Sequence, residues 1–264
     1  MIEVRVHGRR GPTVILLHGG PGTAGYLAPL ARGLTDEFTV LEPLQRGSGR
    51  GGGTDALTVD GHAADLLEVI QHFSPDDPPA LAGHSWGAML ALAFASAHPS
   101  RVAKLALIGC GTFDPLARRV MNDAIARRLT AERRAAWAAL PADIPDPDAR
   151  LAALGRLLAP VFDFHLSEEG DPARCDARAH EETWRDMLAR QEKGDFPAAF
   201  SLIAAPTAMF HGTHDPHPGR LVRDSLRRCL PHLEYFEFDR CGHSPWLERA
   251  AREDFFRLLR SFLR

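Results

Sequence analysis

The stretch ALAGHSWGAMLALAFASAHP, residues 80–99, sets one serine between two glycines, each two residues away. Before the serine, PPALAG reads as a short apolar strand; after it, WGAMLALAFASAHP reads as a helix that stops near Pro99. A nucleophilic hydroxyl must project beyond the strand ends, and a sharp strand-to-helix turn achieves that. Side chains two residues to either side would collide in such a turn, so both flanks must be glycine. The helix start adds backbone N–H donors and the positive end of a dipole. Serine is also favoured as a plain helix cap, but a cap does not require glycine on both sides. With ten serines and 23 glycines, random placement gives about 0.08 such boxes. Context must therefore decide, and it makes Ser85 the candidate nucleophile.

Outward from Ser85, short apolar runs alternate with longer amphipathic ones. Strands are expected at 2–7, 13–18, 38–44, 80–84, 102–109, 207–212 and 233–238, the first pairing with the second across Gly8–Gly11. Helices are expected near 24–33, 60–73, 86–98, 219–229 and 247–263. Near-continuous apolar strands alternating with helices predict a mostly parallel sheet covered on both faces. Residues 113–204 differ: they carry helix-like runs at 116–129, 148–158 and 179–193, broken by Pro141, Pro145 and Pro147, with no strand. This segment is expected to be a helical cap lying over one edge of a core made of 1–112 and 205–264.

Serine is a weak nucleophile until a base takes its proton, and the base needs an orienting acid. Both should follow later strands. Asp215 follows TAMFHG and His243 follows LEYFEF, giving the chain order Ser85, Asp215, His243. Gly242 is expected to let the loop turn His243 back toward Ser85. Asp114, after the strand at 102–109, is the second candidate acid. Donors for a developing oxyanion are expected from the N–H groups of Gly20, in the glycine-rich turn HGGPG (18–22), and of Trp86.

The whole-chain quantities agree with an enzyme of small molecules. The chain has 264 residues, 45% of them hydrophobic, and a net charge of −3, so no strong field points at nucleic acid or an acidic membrane. Cys110, Cys175, Cys229 and Cys241 lack metal-ligand spacing and read as reduced thiols. No secretory signal or apolar run near 18 residues is visible, so a cytoplasmic protein is expected, as monomer or homodimer. Gly47–Gly52 fits G-x-G-x-x-G, but no helix opens at once behind it, which argues against a dinucleotide site. His211, His214, Asp215 and His217 resemble a metal cluster in composition, yet Asp215 is better used as the acid; no metal or cofactor is expected.

Taken together, HGGPG (18–22), QRGSGR (45–50), GHSWG (83–87), HGTHD (211–215) and GHSPWLE (242–248) resemble the α/β-hydrolase superfamily, and within it the proline iminopeptidase-like branch. The resemblance implies Ser85 as nucleophile, Asp215 as acid and His243 as base. The sequence departs from that branch at Leu44 and Gly51, where Asp and Ser stand, and its short start implies that the usual first strand is missing. An aminopeptidase also needs buried carboxylates for the substrate ammonium. Glu168, Glu169, Glu181 and Glu182 qualify by type, Glu181 being the one taken forward with Phe162 and Trp184 as candidate substrate contacts. The favoured reading is a serine hydrolase of small esters or amides with an apolar pocket, because Leu154, Leu158, Phe162, Phe164, Trp184 and Leu188 recur near helical spacing. An aminopeptidase, and a hydrolase-fold protein that binds a ligand with negligible turnover, stay open.

Overall fold

The protein is described by a computed structural model that covers residues 1–48, 56–168 and 172–264. Its strands are β1 (Val4–His7), β2 (Thr13–Leu17), β3 (Thr23–Ala24), β4 (Thr39–Pro43), β5 (Ala80–His84), β6 (Lys104–Ile108), β7 (Arg174–Cys175), β8 (Thr207–Gly212) and β9 (Glu234–Phe238). Its helices are α1 (Ala28–Arg32), α2 (Val59–Phe73), α3 (Trp86–Ala97), α4 (Pro115–Arg128), α5 (Ala131–Asp143), α6 (Pro147–Phe162), α7 (Ala177–Lys193), α8 (Asp195–Ala198), α9 (Gly219–Arg227) and α10 (Arg252–Leu263). One sheet has the order β1-β4-β2-β5-β6-β8-β9 and is parallel except for β1. No described helix is long and apolar enough to cross a membrane.

Both faces of the sheet are covered, which is why its central strands read as unbroken apolar runs. In β2, Ile15 and Leu17 pack toward α2 and α3, while Val14 and Leu16 pack toward α1 and α10. Helix α3 is buried along nearly its whole length, consistent with its uniformly apolar sequence.

Four expectations need correction. First, β1 does not pair with β2; it runs antiparallel to β4 at the sheet edge. β2 is already flanked by β4 and β5, so no edge is free there. The period-two alternation of β1 instead puts Arg5 and His7 on one face, where both reach the buried Glu42 carboxylate of β4, at 3.8 and 2.9 Å. Second, Pro141 does not break a helix but lies in the last turn of α5, a helix the sequence did not announce. Third, the closing helix starts at Arg252 rather than 247. Residues 244–251 form tight turns instead, pinned by the buried Glu248. Fourth, the segment holding α4 to α7 is not without strand: it contributes β7, which pairs with β3 of the core in a short ribbon. It bonds to Pro21, Gly22, Val59, His214 and His243, all beyond the carboxyl ends of strands, where ligands bind in open α/β sheets.

The two glycines around Ser85 are required by contact. A Cβ at Gly83 would stand 2.3 Å from the Gly87 carbonyl oxygen, and one at Gly87 only 2.0 Å from the Leu17 oxygen of β2. Helix propensity alone would favour Gly87→Ala by about 1 kcal/mol. A clash with the main chain of a central strand costs about 1–3 kcal/mol, toward the upper end where nothing flexible can yield. Gly87→Ala is therefore expected to lower Tm, and an unchanged or raised Tm in a thermal scan would refute that account.

Candidate active site

Ser85 occupies the joint between β5 and α3 with φ 55° and ψ −116°, a backbone conformation that a non-glycine residue holds only under strain. Its N–H donates to the Ile108 carbonyl of β6 at 2.8 Å, which fixes the turn from below. Its hydroxyl makes no capping bond to α3, so the plain-cap reading fails. Among the described residues the Ser85 hydroxyl has no hydrogen-bond partner, leaving it available to an incoming group. Such bonds are often long in unliganded sites and tighten when substrate binds.

Asp215 and His243 arrive from the loops after β8 and β9. The His243 Nδ1–H donates to Asp215 Oδ2 at 2.6 Å, which leaves Nε2 as the basic nitrogen. The Asp215 side chain is fully buried. Burial alone would raise its pKa, but His243, His217 and His211 around it hold the carboxyl well below the usual range. His217 donates to Oδ1 through both its ring Nδ1 (2.8 Å) and its backbone N–H (2.9 Å), and its ring stacks on His243. Asp114 is elsewhere: its carboxylate caps α4, accepting from the N–H groups of Leu116 and Ala117. Only Asp215 of the two candidate acids touches a histidine ring.

The His243 loop is held by close backbone approach rather than by unusual glycine torsion. Gly242 has no left-handed φ, but a Cβ there would stand 2.3 Å from the Phe162 oxygen. The buried Glu248 carboxylate gathers the N–H groups of Gly242, Phe164 and His165, and the His243 N–H donates to the Phe162 carbonyl. Arg128 of α4 donates to the carbonyls of Val161 and His214, tying the same helical segment to the Asp215 loop. Beside them burial, with Glu248 and Asp215 nearby, pushes the Asp163 carboxyl up to about 7. Near neutrality that limits the negative charge added next to Asp215.

The glycine-rich turn lies across from these loops. The Gly19 N–H is taken by the Tyr26 hydroxyl at 2.6 Å. Among the described residues the N–H groups of Gly20 and Trp86 donate to nothing, which leaves both available to an incoming acceptor. His18 accepts from the Gln45 N–H at Nε2, Gln45 donates back to the His18 carbonyl, and the Trp86 indole donates to Gln45. Burial lowers the His18 pKa to about 4, so this ring stays a neutral structural acceptor.

The helical segment supplies two of the three candidate substrate contacts. Phe162 sets its ring edge-on to His243 at 5.3 Å, and Trp184 of α7 packs edge-on to Trp86 at 5.8 Å. Glu181 is not brought to Ser85. It stands 74% exposed on the outer face of α7 in an ion pair with Arg185, because Thr183 and Met187 take the inner face. Glu182 pairs with Arg178 and Glu168 with Arg252, both partly solvated. Glu169, and Gly49–Gly52 of the G-x-G-x-x-G stretch, lie outside the described residues. Asp215, His217 and His243 bring three ligand-type atoms within 4.8 Å. The Asp215 oxygens already accept from Nδ1 of His217 and of His243, so a cation on that carboxylate would compete with two hydrogen bonds.

Sequence reasoning missed Tyr26, His84, Gln45 and Glu248, and took His217 for a possible metal ligand rather than a partner of Asp215. His84 carried a signal of its own, as a polar residue inside the G-x-S-x-G box.

A mostly parallel sheet, a strained serine after its fourth strand, β5, and an Asp–His pair after its last two define a hydrolase-type site. Residues 12–250 match the family described as alpha/beta hydrolase fold, and the chain belongs to that family. A 2-hydroxy-6-oxononadienedioate/2-hydroxy-6-oxononatrienedioate hydrolase of Paraburkholderia phymatum is 30% identical, over 99% of this chain and 91% of that protein. Among solved structures, an esterase from Thermogutta terrifontis superposes with a TM-score of 0.67 at 20% identity, over 99% of this chain and 92% of that one. A proline iminopeptidase from Mycobacterium smegmatis superposes with a TM-score of 0.67 at 23% identity, over 98% of this chain and 93% of that one. These relatives and neighbours are hydrolases of one fold.

Proposed function

We propose that the protein is a serine hydrolase that cleaves a small-molecule ester or amide through an acyl-enzyme. The observation that carries this reading is the 2.6 Å bond from His243 Nδ1 to the buried Asp215, on loops next to the strained turn of Ser85. In the reaction Ser85 Oγ attacks the carbonyl carbon while His243 Nε2 takes the hydroxyl proton. The N–H groups of Gly20 and Trp86 hold the oxygen that becomes negative. On collapse His243 returns the proton to the leaving alcohol or amine, and water repeats the sequence to free the acid. His243 moves the proton and two amides hold the charge, so the steps call for no cofactor.

The partly solvated, paired state of Glu168, Glu181 and Glu182 supports a neutral substrate over one carrying an ammonium group, whose burial without a carboxylate is costly. Phe162 and Trp184 supply apolar walls instead. The test is a fluorophosphonate probe together with matched panels of p-nitrophenyl esters and aminoacyl anilides. Covalent labelling and a kcat/KM for short-chain esters above that for prolyl anilide are expected. A prolyl anilide cleaved faster than every ester, or no labelling and no turnover at all, would overturn the reading in favour of the aminopeptidase or the ligand-binding protein.

A further inference from the structure

His84 and Tyr26 form a buried connection between the two moving parts of the reaction, and the direction of every hydrogen bond in it follows from chemistry. The Gly19 amide can only donate, so at 2.6 Å the Tyr26 oxygen is its acceptor. Tyr26 therefore has one proton left to give, and it faces His84 Nδ1 at 2.7 Å. His84 must accept there, which puts its own proton on Nε2. That atom lies 3.1 Å from the His243 carbonyl, which can only accept. The result is one continuous path: Gly19 N–H to Tyr26, Tyr26 O–H to His84, His84 N–H to the His243 carbonyl. Burial holds His84 well below its ordinary pKa, in keeping with the neutral ring this path requires.

The path begins one residue before the Gly20 donor and ends on the main chain of the base, and its middle member is covalently joined to Ser85. We infer that Tyr26 and His84 are positioning residues that set the distance between the oxyanion donor loop and His243, with Ser85 between them. Packing alone does not need these groups. The Trp246 edge against His84 and the edge-on contact of Tyr26 with His84 would survive an apolar ring or chain of similar size. What would be lost is the path. Gly19 could then tilt, Gly20 with it, and the His243 carbonyl would lose its tether. A misplacement on the order of 1 Å in such groups costs about 100-fold in rate. Because the oxyanion forms only in the transition state, the loss should fall on kcat and spare KM.

This inference rests on Ser85 being the nucleophile, so Ser85→Ala belongs in the same series as Tyr26→Phe, His84→Met and His84→Gln. Met fills much of the histidine volume without its hydrogen bonds, whereas Gln can accept from Tyr26 and donate to the His243 carbonyl. Tyr26→Phe and His84→Met are expected to lower kcat by about 10- to 100-fold with KM within about twofold. The rate of fluorophosphonate labelling at Ser85 should fall by a similar factor. His84→Gln should recover most of what His84→Met loses. Wild-type kcat in Tyr26→Phe, or equal losses in the Gln and Met variants, would overturn the path while leaving the hydrolase reading intact. If Ser85→Ala kept its turnover, the hydrolase reading itself would fall. Should His84→Met fail to fold, Tyr26→Phe still decides, since it removes one oxygen from a ring that stays in place.

Discussion

Ser85→Ala is expected to lower turnover on the order of 10⁶-fold and to abolish fluorophosphonate labelling, while the protein stays folded. The hydroxyl is the bond-forming atom, so no neighbour can take over its step. The fold should survive because the side chain is half-buried and its oxygen caps nothing. Ser85→Gly gives the complementary result. It should be as inactive as Ser85→Ala, yet more stable than the wild type by about 1–2 kcal/mol, because glycine relieves the strain at φ 55°. Substantial turnover in either variant, measured on the best wild-type substrate, would remove Ser85 from the nucleophile role. A Ser85→Gly variant less stable than wild type would instead show that the turn is not strained.

Most of the sheet was legible because it is buried on both faces, and burial on both faces leaves uninterrupted apolar runs such as those at 13–17 and 104–108. The G-x-S-x-G box was legible for a related reason. Gly83 and Gly87 meet main-chain atoms at distances no side chain tolerates, so the sequence there has no freedom. The partner of β1 was not legible. Its alternation fixes a face, but β2 has no free edge because β4 and β5 flank it, and the contact of His7 with Glu42 of β4 spans 35 positions. Local pattern also hid α5, which buries no residue and so carries little of the periodicity that marks an amphipathic helix. The acidic pairs of the helical segment were ambiguous in the sequence for a different reason. Glu181 and Trp184 lie three positions apart, and only packing decides which faces Trp86. The supporting residues of the site were hardest of all. Tyr26 meets His84 across 58 positions and His84 meets His243 across 159, and neither contact leaves a trace in nearby spacing.

Asp215→Asn is expected to lower kcat by about four orders of magnitude, and Asp114→Asn to leave it within a few-fold. An ionised Asp215 accepts from His243 on one oxygen and from His217 on the other. An amide can accept on only one side, and its NH₂ would face the second ring as a donor. Where that ring is His243, the imidazole must turn its lone pair to Nδ1, which puts the proton on Nε2 and removes the base. Asp114 has a task that asparagine performs equally well, since Asn and Asp are comparable helix caps. Asp215→Asn should also be recognisable in acid. The folded protein holds the Asp215 pKa well below its unfolded value of about 4, so the charge contributes stability above that pH and the contribution is lost as pH falls below it. Asp215→Asn should therefore flatten that part of the acid dependence of stability in urea titrations. The reverse ranking, with Asp114→Asn the inactive variant, would move the acid to the loop after β6. Equal and mild effects of both variants would leave His243 without an essential acid and the acyl-enzyme reading without its orienting group.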